Sequence, residues 1–456
     1  MVADRFLPDA RRIALDVLDA LESGRSNLDR LMEDALGSNS HLDRRDRSLI
    51  FALTYGVQRW RRRLDWVADH FASRPLSQAD PTVRNILRLA LLQILFFSRV
   101  PAPAAVHTAV EMTKAKVRRA APFVNAVLRN VLRRNAEVPM PDPASDPVAA
   151  LGVELSFPDW IVARWMERDG AALTRARCLA ANRIPPLTVR ANTLKIERDG
   201  LIRTWHAHGL DGRSTLMAPQ GIVVQDFHGP VEALSGFDDG LFQVQDEAAQ
   251  LVGILMSPEP GELILDACAG LGGKTGHLAA LGLNRTRILA TDQDQFRLSA
   301  LEKEMWRLGA KSIDTRRIDW MEAPPLDLEA FFDRILIDAP CSGLGVLGRN
   351  PDARWRRHEA DLIRCSQRQQ VLLHHLADRL KPGGLLVYAV CSIEPEETEA
   401  VIATFLDRRP DYVMAAPCKN FPASARRLIC PDGAIRTEPG QDPLDGFYMV
   451  GLRRMP

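Results

Sequence analysis

No run of 18 or more apolar residues occurs in the chain, which excludes a membrane-spanning helix. The first residues carry Asp4 and Asp9 and no long apolar core, so no secretory leader is expected. A cytoplasmic protein without a membrane partner is the expectation. Cysteine is sparse and unpatterned: Cys178, Cys268, Cys341, Cys365, Cys391, Cys418 and Cys430 make an odd seven with no CxxC pair. That argues against a disulfide framework and a zinc knuckle, and no metal is expected. Free thiols therefore remain for chemistry.

At 456 residues the chain exceeds one hydrophobic core, and two or three domains are expected. The net charge of +1 hides an asymmetry: residues 1–140 hold 23 Lys and Arg against 15 Asp and Glu, a net +8, and the remainder holds 36 against 43, a net −7. A basic module joined to a mildly acidic one points to a polyanion partner for the first part. Solvated helix faces would give the same count.

Residues 9–134 read as helical, with Ile13, Ala14, Val17, Leu18 and Leu21 at helical spacing before Gly24. The pattern recurs after Pro81 with Val83, Ile86, Leu87, Ala90 and Leu91, giving six or seven segments of a bundle. Arg59, Arg61, Arg62 and Arg63 surround Trp60, and Lys114, Lys116, Arg118, Arg119, Arg129, Arg133 and Arg134 follow. Arginines fork onto phosphates, so these are candidate polyanion contacts, while Trp60 is read as core. The proline-rich stretch from Val138 to Pro147 reads as a linker. Ser156, Pro158 and Asp159 are expected to cap the next helix. Strands at Leu187–Val189 and Ile222–Val224 flank a helix near residues 202–208, so a small α+β module is expected there. The expected boundaries are 1–137, a linker at 138–154, the small module at 155–238 and a final domain at 239–456.

From about Leu241 strands alternate with helices, which implies a doubly wound, largely parallel sheet. After Leu263-Ile264-Leu265 comes Asp266-Ala267-Cys268-Ala269-Gly270-Leu271-Gly272-Gly273-Lys274-Thr275. A P-loop needs glycine where Cys268 stands, and the glycines at 270, 272 and 273 do not fit G-x-G-x-x-G. What remains is a backbone-approach loop, followed by acids at the next strand ends. Asp292 suits a ribose diol and Asp319 an adenine amino group, so an adenosyl cofactor is expected. The run Ile335-Leu336-Ile337 ends in Asp338-Ala339-Pro340-Cys341-Ser342-Gly343, and Leu385–Tyr388 leads to Cys391. In a parallel sheet both thiols open on one edge. Each alone reads as a small buried hydrophobe; together, beside Asp338, they point to covalent catalysis.

Three motifs in this order, Asp266–Thr275, Asp338–Gly343 and Tyr388-Ala-Val-Cys391-Ser-Ile-Glu-Pro-Glu-Glu397, resemble the RNA cytosine-5 methyltransferases, specifically the bacterial RsmB (Sun, Fmu) group. The resemblance covers nearly the whole chain. Asp46-Arg47, Tyr55-Gly56-Val57 and Phe123–Asn130 look like that group's NusB-like RNA-binding domain. Val189–Asn192, with Arg190, is similar to its small pre-catalytic RNA-binding module, and Gln243–Glu247 and Asp445–Tyr448 match flanking motifs. The fold class implied is an all-α NusB-like bundle, a small α+β module and a C-terminal α/β Rossmann-like methyltransferase. The partner implied is small-subunit (16S) ribosomal RNA, and the protein is taken to act as a monomer.

The resemblance also implies roles. Cys391 is the nucleophile that adds to cytosine carbon 6, because carbon 5 is too weak a nucleophile unaided. Cys341 assists loss of the carbon 5 proton and release of RNA. Asp338 meets the N3/N4 edge of the base, and Lys274 keeps the local field positive. The cofactor implied is S-adenosyl-L-methionine, with Cys268, Ala269, Gly270, Leu271, Gly272, Gly273, Lys274, Asp292, Asp319 and Asp338 around it. Three positions depart from the family pattern: Gly270-Leu271 replaces Ala-Pro, Val390 replaces Thr, and Thr398 replaces Asn. None removes a group the chemistry requires. A catalytically decayed RNA-binding assembly factor, a transfer RNA methyltransferase and a DNA cytosine-5 methyltransferase are the competing readings.

Overall fold

The structure, a computed structural model, describes residues 9–24, 26–134, 137–227, 229–322 and 331–456. Residues 1–8, on which the leader was argued, lie outside the described residues. Among those described, no helix is long and apolar enough to cross a membrane.

Side-chain caps set the helix starts of the first unit. Asn27, Asp43 and Asp80 accept from the backbone N–H groups of Arg30, Asp46 and Thr82, satisfying donors that a helix end leaves free. The helices are α1 (Asp9–Glu22), α2 (Leu28–Ser38), α3 (Arg44–Phe71), α4 (Pro81–Phe96), α5 (Ala102–Lys116) and α6 (Ala121–Arg134). Ile13, Val17 and Leu18 of α1 bury against Ile50, Leu53 and Val57 of α3 and Ile86, Leu87 and Leu91 of α4. Trp60 stacks on Phe96 at 4.6 Å between ring centroids, at the margin of this core.

The stretch expected as a linker ends in α7 (Pro147–Leu155), whose Ala150, Leu151, Val153 and Leu155 are buried. Ser156, expected to cap the next helix, instead closes α7 in the left-handed region (φ 62°), its N–H bonding Gly152 O. α8 (Asp159–Asn182) follows with no side-chain cap and still belongs to the first compact unit, which runs to Arg183. The small module was expected to begin before α8. Apolar α8 residues, among them Ile161, Val162 and Trp165, are fully buried.

The second unit begins at Ile184. Its small antiparallel sheet has strand order β2-β3-β1-β4, built from β1 (Leu187–Ala191), β2 (Gly212–Ser214), β3 (Gly221–Val224) and β4 (Phe242–Val244). Leu201 and Trp205 of α9 (Arg198–Ala207) pack on it. After α10 (Glu247–Met256) come β5 (Leu263–Asp266), α11 (Gly273–Leu281), β6 (Arg287–Asp292), α12 (Gln295–Leu308), β7 (Ile313–Arg317) and β8 (Phe332–Asp338). A short α13 (Ala353–Arg356) precedes α14 (Glu359–Ala377), β9 (Leu380–Val390), α15 (Glu399–Arg408), β10 (Tyr412–Ala415), β11 (Ile435–Thr437) and β12 (Phe447–Arg454). The large sheet runs β10-β12-β9-β8-β5-β6-β7, with β11 beside β12. β9, β8, β5, β6 and β7 are mutually parallel, β12 runs antiparallel to β9, and β10 runs antiparallel to β12. Ile335, Leu336 and Ile337 are wholly buried, as a central strand covered on both faces requires. Strand order reverses between β5 and β8, the crevice where such sheets bind ligands.

One segment of the later chain belongs to the first unit: Leu347–Arg357, which includes α13. Arg354, fully buried, donates to Asn182 Oδ1 (2.9 Å), Ser156 O (3.2 Å) and Ala181 O (3.3 Å), and its guanidinium lies 3.9 Å from the Phe157 ring centroid. Trp355 Nε1 donates to Gln58 O (2.6 Å).

Candidate active site

The glycine loop is shaped by backbone sterics. Gly270 and Gly272 have φ of 54° and 86°, a region that L side chains avoid. A Cβ on Gly272 would come within 2.7 Å of Leu301, whereas a Cβ on Gly270 or Gly273 meets nothing within 4 Å. Open space therefore lies against the loop. Gly270 N donates to Asp292 Oδ2 (3.0 Å), and Asp294 N to Asp292 Oδ1 (2.8 Å), which fixes that carboxylate at the end of β6. Asp319, exposed beyond β7, accepts from Met321 N (2.9 Å). Leu271, where the family has proline, is exposed.

Carboxylates dominate the field here. Burial and then Asp266, Asp338, Asp292 and Asp319 push the Cys268 thiol well above its ordinary range, so it stays protonated. Asp266 is fully buried at the end of β5, where burial raises its carboxyl to about 7 against a hydrogen bond from Thr275 (2.7 Å). Among the described residues its other oxygen has no hydrogen-bond partner. A group that carries both a positive charge and a diol matches this donor set, as S-adenosylmethionine does. Gly270–Gly273, Asp292 and Asp319 would hold it.

From the first turn of α11, Lys274 Nζ donates to Asp338 Oδ2 at the end of β8, at 2.5 Å. Burial opposes the Lys274 charge, and Asp338 overcomes that, leaving the ammonium above its ordinary pKa. The positive field expected from Lys274 is thus shared with Asp338. Among the described residues Asp338 Oδ1 has no hydrogen-bond partner in the protein, and the side chain is about one-third exposed (32%). It remains available to a ligand.

Cys341 and Cys391 meet, sulfur to sulfur, at 3.3 Å. The loop after β8 brings Cys341, and Cys391 directly follows β9; Asp338 pairs with Ala389 in parallel register. Gly345 N donates to Cys391 O (3.1 Å), and a Cβ on Gly345 would clash with Gly446 O at 2.0 Å, so only glycine lets the loops close. The Cys391 hydrogen bond and burial hold the Cys341 thiol well above its usual pKa. Motif reading missed Ser342, Ser392, Gln369 and Glu397, which join beneath these thiols. The available signal was the Cys-Ser dipeptide repeated at both strand ends.

The expected RNA-binding arginines divide. Arg59 is buried and donates to Gly348 O (2.7 Å). Arg190 is buried and binds Gln243 (2.7 Å), Gln245 and Gly273 O (2.9 Å). Arg62 is tied to Phe157 O and Asp159, while Arg61 faces Glu22 and the Trp355 ring, and Arg63 meets Met140. Arg59 and Arg190 are thus spent inside the protein, since burying a guanidinium without acceptors is costly, whereas Arg61, Arg62 and Arg63 are only half-buried. Arg129 and Arg133 are exposed and, among the described residues, bonded only along their own helix to Asn125 and Asn130, beside exposed Arg118 and Arg119.

The fold and the site define a methyltransferase of the Rossmann-like class. Residues 253–453 match the family described as 16S rRNA methyltransferase RsmB/F, residues 8–133 the NusB family, and residues 157–232 the ferredoxin-like domain of RsmF/B-like methyltransferases. A "Probable ribosomal RNA small subunit methyltransferase B" of Synechocystis sp. is 34% identical over 98% of this chain and 99% of its own. Its namesake in Bacillus subtilis is 32% identical over 97% and 98%. The crystal structure of PH0851 superposes with a TM-score of 0.81 at 26% identity, covering 98% of both chains. The chain belongs to the RsmB/F methyltransferase family, with an N-terminal NusB domain, a ferredoxin-like domain and a C-terminal methyltransferase domain.

Proposed function

We propose that this enzyme methylates carbon 5 of a cytosine in small-subunit ribosomal RNA through a covalent cysteine adduct. The observation that carries the proposal is the 3.3 Å approach of Cys341 and Cys391 on adjacent parallel strand ends, beside the Lys274–Asp338 pair. S-adenosylmethionine, held by Gly270–Gly273, Asp292 and Asp319, supplies an electrophilic methyl group.

Cys391, as thiolate, adds to carbon 6 of a base turned out of its stack, and carbon 5 becomes nucleophilic. Asp338 Oδ1 accepts from the N4 amino edge and positions the ring, while Lys274 holds Oδ2. With Cys391 bonded to carbon 6, the hydrogen bond that kept Cys341 protonated is gone and the Cys341 proton passes to solvent. Once carbon 5 is methylated, the Cys341 thiolate takes the carbon 5 proton, the C–H electron pair re-forms the carbon 5–carbon 6 double bond and the Cys391 sulfur leaves with its bonding pair. The exposed arginines of α6 supply phosphate contacts. The test is a map of 5-methylcytosine in total RNA from cells with and without the protein. One small-subunit ribosomal cytosine should lose its methyl group; an unchanged map sinks the proposal, and loss confined to transfer RNA reassigns the substrate.

A further inference from the structure

We propose that Glu397 is a positioning residue that sets the separation of the two thiols, an inference that rests on the two-thiol reading above. Glu397 is fully buried on the turn Pro395–Glu397, between β9 and α15. Its Oε2 accepts from Ser342 Oγ and Ser392 Oγ, both at 2.5 Å. Its Oε1 accepts from Ser342 N at 2.7 Å and Gln369 Nε2 at 3.3 Å. Ser342 follows Cys341 and Ser392 follows Cys391, so one carboxylate oxygen holds both catalytic loops one residue from their sulfurs.

The geometry of the serines repeats that of the thiols: the two hydroxyl oxygens are 3.3 Å apart, as are the two sulfurs. Gln369 Nε2 also bonds Pro340 O (3.0 Å), and Tyr388 OH donates to Glu397 O (2.7 Å), so the clamp is braced from α14 and β9. Among the described residues no lysine or arginine pairs with Glu397. A buried carboxylate with no cation is costly unless its lone pairs are filled, and four donors fill them here. After the Cys391 bond and burial, its charge also adds to the forces holding the Cys341 thiol up.

The test uses the full-length protein and reads the thiol separation apart from methylation. Diamide oxidises two neighbouring thiols: a sulfur–sulfur bond forms, two protons and two electrons pass to the diazene, and a hydrazine results. The Cys341–Cys391 cross-link is timed by peptide mass spectrometry. Glu397→Ala should slow it at least about tenfold and lower kcat about a hundredfold, with KM for S-adenosylmethionine within about twofold. Glu397→Gln should keep both rates within about threefold, because its amide oxygen still accepts and its amide N–H donates to the serine oxygens. If Glu397→Ala does not fold, Ser392→Ala, which removes one bond on the Cys391 side, should slow the cross-link about threefold. A wild-type cross-linking rate in the folded alanine variant, or in Ser392→Ala if that is the one tested, overturns the proposal. Wild-type protein that cross-links in a Glu397-dependent way yet methylates no extracted small-subunit ribosomal RNA would overturn the functional reading and leave the clamp standing.

Discussion

Lys274 Nζ and Asp338 Oδ2 stand 2.5 Å apart, an ammonium from the end of the glycine loop closed on a carboxylate from the neighbouring strand. The pair ties the loop expected to face the methyl donor to the residue expected to face the base. Neither partner can be removed without exposing the other's charge to a partly buried site. Lys274→Met and Asp338→Asn should each lower kcat/KM about a hundredfold, and the double variant should lose less than the product. Additive losses in a double-mutant cycle would show the contact to be incidental.

The thiols divide the reaction. Cys391→Ala should abolish turnover and adduct formation, whereas Cys341→Ala should permit addition and leave protein trapped on RNA. Denaturing gel electrophoresis with labelled RNA reads both. A trapped species in Cys391→Ala and none in Cys341→Ala would reverse the roles.

Asp266 makes stability depend on pH. Its folded carboxyl titrates at about 7, above the ordinary 3.8. The folded state therefore binds more protons between those values, and this residue's contribution falls as pH rises from about 4 to about 7. The full shift amounts to about 4 kcal/mol. Asp266→Asn keeps an acceptor for Thr275 and should flatten the decline, as measured by urea unfolding from pH 4 to 8. An unchanged slope would place the dependence elsewhere.

Gly345 is the point where two loops touch. Gly345→Ala should cost about 1–3 kcal/mol, since the new methyl has only the backbone of Gly446 and Cys391 to displace. Turnover should fall more than S-adenosylmethionine binding does. Calorimetric binding beside a methylation assay separates them, and parallel losses would make the effect global.

The basic residues of the first unit should separate into two groups. Arg59→Ala should destabilise the protein with little change in the salt dependence of RNA binding. Arg129→Ala and Arg133→Ala should each reduce the slope of log affinity against log salt by about 1, with unfolding midpoints unchanged. Binding titrations at several salt concentrations decide.

The sequence made the strand-end acids, the glycine loop and both thiols legible because each sits in a short local pattern. The parallel sheet followed from short apolar runs such as Ile335–Ile337 alternating with helical patterns. What stayed hidden was set by distant partners. Arg59 and Arg190 carry the same charge as surface arginines, and their acceptors, Gly348 O and Gly273 O, lie far along the chain. Glu397 read as one more acid after a proline, since nothing local says that two serines fifty residues apart will converge on it. The departure at Val390 is buried in β9. Thr398 turns inward too, donating to Glu394 O (2.9 Å).

Leu347–Arg357 gives the molecule an order of assembly. Arg354 supplies donors to Ser156, Ala181 and Asn182 of the first unit, yet it is synthesised about 170 residues after the last of them. Domains generally fold as they emerge, N-terminal first. Here the contacts that this segment adds to the amino-terminal unit form only after the ribosome has passed Arg357, about halfway through the methyltransferase sequence. Exchanging either part between relatives therefore requires carrying this short segment with the helices it packs on.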